Sequence, residues 1–457
     1  MKHSIKLLSA VISMAVSGSL LAAVSPEEAK QIGTKLTPWG AEIAGNADGS
    51  IPAYTGGIQP PANYDPSKPG VRPDPFADEK PVHVITAANM AQYADQLTEG
   101  TKALFAKYPE TFRVEVYPTH RTVRYPEFYT QNSIKNATEC QLASEGLQLT
   151  GCYAGVPFPI PKNGHEVMWN RMFKYQARAL RADDLMTTVV DANGSVIDTA
   201  GWKGWNQYPL WDPARTEKLQ GNELNELLRS DYNAPARKDG EKLVLHDGID
   251  MVNSARRAWS YVVGQRRVKL SPDVAYDTPS PTGAGIGTVD DSSVFFGSLD
   301  RYDFKLVGKK EMYIPYNLFK INDQTKCGRD VVHTPGHVNP DCMRWEKHRV
   351  WVVEATLKPG KRHIYPRRTM YWDEDYLGVG MGDAYDSTGK IYRITNSESW
   401  PIYESEGHIS GQFAVYDLAK GSYTRQSYTT NKSGWYTTDP LPLTMFAPQA
   451  LSAAGVR

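Results

Sequence analysis

The chain has 457 residues, with 51 basic against 51 acidic side chains and 11% aromatic content. That balance excludes a basic nucleic-acid footprint and a strongly cationic membrane-binding face. Length alone admits two or three domains, but 31 Pro and 37 Gly spread without a clean linker predict long irregular connections decorating one sheet.

Met1 to Lys6 is a basic start, and Leu7 to Ala23 is apolar and small with no acid. This predicts a secretory signal peptide cut near Ala22 or Ala23, and so a periplasmic mature protein. The first 23 residues hold two lysines and no acid, which leaves 49 basic against 51 acidic side chains. Ser25 to Ile32 reads as a short helix with Ser as N-cap and Pro at its first position. Residues 24–84 are turn-rich and are expected to form an extended arm anchored by Trp39, Tyr54 and Tyr64. Asn46 to Ser50 reads as an Asx-type turn rather than a calcium loop, since no distal bidentate Glu follows.

Residues 85–457 are expected to form one elaborated domain. Ala87 to Tyr108 has helical spacing; Phe112–Tyr117 and Thr122–Tyr125 alternate as a strand pair. Glu166 to about Arg178 reads as a helix, and Leu185–Val190 with Ser195–Ile197 as a hairpin across Asp191–Gly194. Glu223 to Leu228 reads as a short helix, and Lys242–His246 as a strand. Arg257–Val262 and Arg266–Leu270 form a hairpin of high positive charge. Two strands are expected at Asp303–Val307 and Glu311–Ile314. The central hairpin pairs Arg349–Leu357 with Tyr365–Trp372, and both faces of its first strand are largely apolar. Val379–Tyr385, Lys390–Thr395, His408–Leu418 and Ser422–Thr429 continue the meander.

The four cysteines fall as two local pairs, Cys140 with Cys152 and Cys327 with Cys342, read as disulfides stapling short loops. The second loop also holds His333 and His337, a possible zinc set, although Thr334-Pro-Gly336 keeps the two histidines off a shared helical face. No nucleophile elbow, phosphate-binding loop, dinucleotide fingerprint or metalloprotease motif is present. Asp290-Asp291 and Asp373-Glu-Asp375 are the only acid clusters with a glycosidase-like look, and turn-flanking carboxylates are common. No catalytic residue, cofactor or metal ligand is assigned, and the protein is read as no enzyme.

Ala258-Trp-Ser-Tyr-Val-Val-Gly-Gln-Arg-Arg-Val-Lys269 followed by Asp291 to Phe304 resembles outer-membrane lipoprotein-sorting proteins. Leu36-Thr-Pro-Trp-Gly-Ala-Glu42, Asn46 to Gly57, Asp300-Arg-Tyr-Asp303 and Lys309 to Tyr316 resemble a periplasmic domain family of unknown function, over nearly the full mature length. The resemblance implies an α+β, mainly β fold: a strongly curved, open antiparallel sheet, or half-barrel, plugged by helices as in LolA and LolB, with long loop insertions. It also implies a carrier or adaptor for a hydrophobic, lipid-like molecule, working with an envelope exporter of the resistance-nodulation-division type and an outer-membrane partner. The alternatives are a structural subunit of an exporter assembly, or a hydrolase of envelope glycans or lipids. On this reading Trp351, Val353, Ala355, Leu357, Met370 and Trp372 line the ligand side of the sheet. Arg256, Arg257, Arg266, Arg267 and Lys269 are candidates for docking an acidic partner.

Overall fold

The structure is a computed structural model, and it describes residues 24–272, 274–430 and 434–453. The expected signal peptide, residues 1–23, lies outside the described residues.

Among the described residues eighteen strands follow in chain order. They are β1 His83–Ile85, β2 Val114–Val116, β3 Gln141–Ala143, β4 Gln148–Thr150, β5 Ala179–Val190, β6 Val196–Gln207, β7 Leu224–Ala234, β8 Lys242–Gly248, β9 Arg257–Val262, β10 Arg267–Leu270, β11 Tyr302–Pro315, β12 Trp345–Leu357, β13 Arg367–Asp373, β14 Gly380–Tyr385, β15 Ile391–Ile402, β16 Gly407–Asp417, β17 Ser422–Thr429 and β18 Tyr436–Thr437. Six α-helices accompany them: α1 Pro26–Ala29, α2 Glu99–Lys107, α3 Glu127–Glu139, α4 Gly164–Met172, α5 Arg329–Val332 and α6 Gln449–Ala453.

Sixteen strands make one sheet in the order β1-β2-β12-β13-β14-β15-β16-β17-β5-β6-β7-β8-β9-β10, with β11 alongside β12 and β18 alongside β5. Its ladders are antiparallel apart from one parallel pair, Trp345 with Val116. Among the described residues the terminal strands β1 and β10 do not meet, so the sheet is open and mainly β, as expected. The chain returns once across it. The meander β12–β17 closes onto β5, which starts the second meander β5–β10.

Both faces of β12 are covered, as its residues foretold. Val353, Ala355, Met370 and Trp372 point into a large core with Trp169 and Phe173 of the α4 region. Val350, Val352 and Tyr371 point the other way, into a second core with Leu104 and Phe105 of α2. A third, smaller core sits where the C-terminal segment, with Phe446 and Leu451, covers Leu227 of β7, Val244 of β8 and Tyr261 of β9. Helix α4 starts very close to β11, since a Cβ on Gly164 would lie 2.5 Å from the Phe304 backbone. Asn163 caps this helix through its side chain.

Four expectations fail in instructive ways. The helix expected over 223–228 is instead the start of β7, because Leu227 serves the third core while Leu228 faces the opposite side; a strand with apolar residues on both faces mimics helical spacing. Residues 303–314 form one strand, with a register shift between Leu306 and Gly308 rather than a turn. Gly308 takes φ +140° there, a bulge that leaves Val307 out of the ladder. The helix expected over 87–108 is broken: a 3₁₀ stretch Met90–Gln96 precedes α2, whose N-cap Thr98 accepts a bond from the Thr101 amide at 3.0 Å. Finally, Val114–Val116 pairs with His83–Ile85 instead of with 122–125. Those later residues hold the N-terminal stretch: the Ile58 amide donates to the Thr122 carbonyl at 3.0 Å, and the Tyr54 hydroxyl to Val123 at 2.9 Å. Helix α3 went unread, although Tyr129, Ser133, Asn136 and Ala137 give it an inward face at helical spacing.

Candidate functional site

The two disulfides form as read. Cys140–Cys152 ties the end of α3 across the β3–β4 hairpin, and Cys327–Cys342 closes the second loop. That pairing takes both sulfurs from any zinc set. The His337 ring meets Thr111 Oγ1 at 2.9 Å, and His333 Nδ1 meets the Arg329 carbonyl at 2.8 Å.

The acid clusters are occupied by cations of the chain itself. Asp290 and Asp291 hold Arg368 at 3.1 and 2.8 Å. Arg121 makes two 2.7 Å bonds to Asp375, while Glu374 takes Lys309 at 2.7 Å and Arg349 at 3.3 Å. His348, Asp373 and Asp375 bring potential metal-ligand atoms within 4.8 Å of one another. His348, however, lies 3.1 Å from Glu346 and 3.5 Å from Asp373. Burial alone would lower its pKa, but the Asp373 and Glu346 carboxylates overcome that and raise it to about 9. An imidazolium has no lone pair to give a metal. Among the described residues, each carboxylate of Asp373, Glu374 and Asp375 is met by a basic side chain of the chain itself.

The hollow lies in the other half of the sheet. A cavity of about 200 Å³ is lined by Leu180 and Leu185 of β5, Trp202 of β6, Leu228 of β7, and Leu243 and Leu245 of β8. Ile409 and Phe413 of β16 complete the sheet side, while Trp435 and the segment holding Val274, Val289 and Phe296 close over it. Such a space is an order of magnitude beyond the ~10–15 Å³ that admits one water. The strands from β16 to β8 are six consecutive neighbours, which laid flat would span about 24 Å. One small hollow touches both ends of that row, so the sheet curls around it.

Beside Ser280, Thr282 and Gln426, three polar patches interrupt the apolar wall. Gln176 donates to the Tyr208 hydroxyl at 2.7 Å and accepts from the Ser410 amide and hydroxyl at 3.1 Å. Glu226 accepts from Asn206 at 2.6 Å, and burial raises its pKa. Arg171 and Lys174, at and just beyond the end of α4, form the third.

None of the six residues expected to line the ligand side lies on this cavity. Val353, Ala355, Met370 and Trp372 are fully buried, and Trp351 and Leu357 pack beside them. Cross-strand pairs Trp351–Trp372 and Val353–Met370 build a floor under α4, and the hollow begins at that helix's last turn, where Arg171 lines it. The lining strands β5–β8 were legible as strands in part, but β7 was read as a helix. The alternation of Leu228, Ser230 and Tyr232 was the signal available.

The basic residues separate as well. Arg256 is engaged, holding Asp247 through two 2.7 Å bonds with its guanidinium 3.7 Å from the Phe296 ring centroid. Arg257, Arg266, Arg267 and Lys269 are exposed on the β9–β10 hairpin at the end of the sheet.

Comparison with solved structures returns a DUF1329 family protein from Desulfovibrio piger, at 15% identity and TM-score 0.40, covering 63% of this chain and 97% of that one. A putative outer membrane lipoprotein-sorting protein domain from Vibrio parahaemolyticus matches at 13% identity and TM-score 0.41, with the same coverage. LolA superfamily protein NE2245 from Nitrosomonas europaea matches at 9% identity and TM-score 0.35, covering 63% of this chain and 98% of that one. Among curated proteins, Uncharacterized protein PA3922 of Pseudomonas aeruginosa is 38% identical over 455 residues, 96% of this chain and 95% of its own length. Residues 84–452 match the family described as Protein of unknown function (DUF1329), and the chain belongs to that family.

Proposed function

We propose that this protein is a non-catalytic periplasmic carrier that holds a hydrophobic molecule in the curl of its sheet. The observation that supports this reading is the largely apolar cavity over β5–β8 and β16. Carriage suits such a wall. Each buried CH₂ stabilises the complex by about 0.8 kcal/mol without demanding directional bonds, so grip scales with length and stays reversible for short cargo. The segment between β10 and β11 covers the hollow, among the described residues without a helix or strand longer than one 3₁₀ turn, and in this reading it is the route of entry. Residues 24–84 act in this reading as an arm on the carrier body. Handing cargo to or from an envelope exporter of the resistance-nodulation-division type, with an outer-membrane partner, is the step it would serve.

The test is native mass spectrometry of the mature chain after mild extraction, for wild type and Leu228→Trp. Wild type should carry a hydrophobic adduct, and the indole, filling the hollow, should remove it. Wild-type protein that arrives empty and takes up no hydrophobic probe from a mixed-lipid extract sinks the carrier and favours the structural subunit.

A further inference from the structure

The cavity wall carries two cations, Arg171 and Lys174, and one buried acid, Glu226. Arg171 is 2% exposed, yet its one hydrogen bond among the described residues is from Nη2 to the Ser293 carbonyl at 2.9 Å. Its Nε has no partner, and the guanidinium carbon lies 5.0 Å from the Trp372 ring centroid. Lys174, three residues on, also lines the cavity. Among the described residues neither cation reaches a carboxylate at ion-pair distance. A buried arginine without an acid is uncommon, because desolvating a charge is expensive unless it is paired.

The acids that surround these cations are otherwise committed. Asp247 is clasped by Arg256. Glu226 is held by Asn206 and Tyr208 at 2.6 and 3.4 Å, and burial favours its neutral form. Burial first, and then the neighbouring Arg171 charge, lower the Lys174 pKa. Glu226 and Asp247 act on it in the opposite sense, but from beyond ion-pair distance. Leu180, Leu185, Trp202, Leu228, Leu243 and Phe413 supply the apolar part of the wall.

We infer that the cargo is a single-chain amphiphile with a carboxylate head, the head bound between Arg171 and Lys174 and the hydrocarbon lying along β5–β8. This rests on the carrier reading and adds the chemistry of the head group. The hollow of about 200 Å³ is below the ~300–1,000 Å³ of pockets for drug-sized ligands, which favours one chain over a diacyl lipid. Arginine's planar fork presents two parallel donors to a carboxylate, and Nε is the donor left unused here.

The experiment compares dodecanoic acid with dodecanol on the delipidated mature chain, read by titration calorimetry and by the fluorescence of the cavity tryptophans. The acid should bind at least about tenfold more tightly, the margin of a charged hydrogen bond made away from water. Lys174→Met and Arg171→Met, each checked for native circular dichroism, should erase that preference, bringing the affinity for the acid down to that for the alcohol measured on the same variant. Equal affinity of acid and alcohol for wild type, which requires no variant, overturns the head-group inference and leaves the carrier standing. A preference that survives both substitutions overturns it too. Failure of both ligands to bind wild type removes the carrier reading along with it.

Discussion

The guanidinium of Arg171 lies over the ring of Trp372, 5.0 Å from its centroid, at the boundary between the filled and the hollow halves of the large core. On the Trp372 side α4 rests directly on β11 and β12. On the far side the chain leaves the helix at Met172 and the sheet curls without a plug. One residue therefore touches both the packed floor and the cavity.

That boundary has a stability consequence. Met370, fully buried in the filled half, should lose about 2–5 kcal/mol on replacement by Ala, because removed atoms leave a void the neighbours cannot close. Leu243 borders space that is already open, so Leu243→Ala should cost about 1 kcal/mol, mostly the lost transfer term of its own methyl groups. Urea unfolding of both variants makes the comparison. Equal losses would mean that the hollow collapses in solution.

Asp383 predicts a pH signature. It is 1% exposed, accepts from the Tyr371 hydroxyl at 3.2 Å and has Oδ1 without a partner. Burial raises its pKa to about 7 from an ordinary 3.8. A raised carboxyl stabilises the fold below its unfolded pKa, and that contribution is lost as pH climbs through the folded one. Relative to wild type, Asp383→Asn should therefore gain stability between pH 4 and pH 8, on the order of 4 kcal/mol. Denaturation across that range checks it, and a difference flat with pH contradicts the assignment.

Arg425 and Glu398, each 1% exposed as side chains, meet through Arg425 Nε at 2.9 Å from both carboxylate oxygens, with Gln412 also donating to Glu398. Arg425→Met should cost about 3–5 kcal/mol, since it strands a buried carboxylate. Adding Glu398→Leu should recover most of the loss, because two apolar side chains need no solvation. A double variant as unstable as the single one would show that packing around β15 and β17, rather than charge, sets the cost.

Residue pattern carried much of this architecture. The turn Asp191–Gly194 between β5 and β6 was legible because a short Asx loop and a left-handed glycine at φ +83° are local chemistry. The covering of both faces of β12 was legible because Trp351, Val353 and Leu357 alternate with Val350 and Val352. Disulfide pairing followed from spacing. The Gly308 bulge and the strand identity of Leu224–Leu228 were hidden, since each depends on a partner strand far along the chain.

The sequence by itself determined a β-meander whose central strand is apolar on both faces, two stapled loops and a predicted export signal; the openness of the sheet came only as what the family resemblance implied. Only the tertiary structure decided which apolar face stays empty. A strand's alternation says that a side chain leaves water, but whether it meets a helix or a void depends on where α4 ends relative to the curl of the sheet. That relation is set by packing between segments over a hundred residues apart, and it moved the candidate site from β12 and β13 to β5–β8.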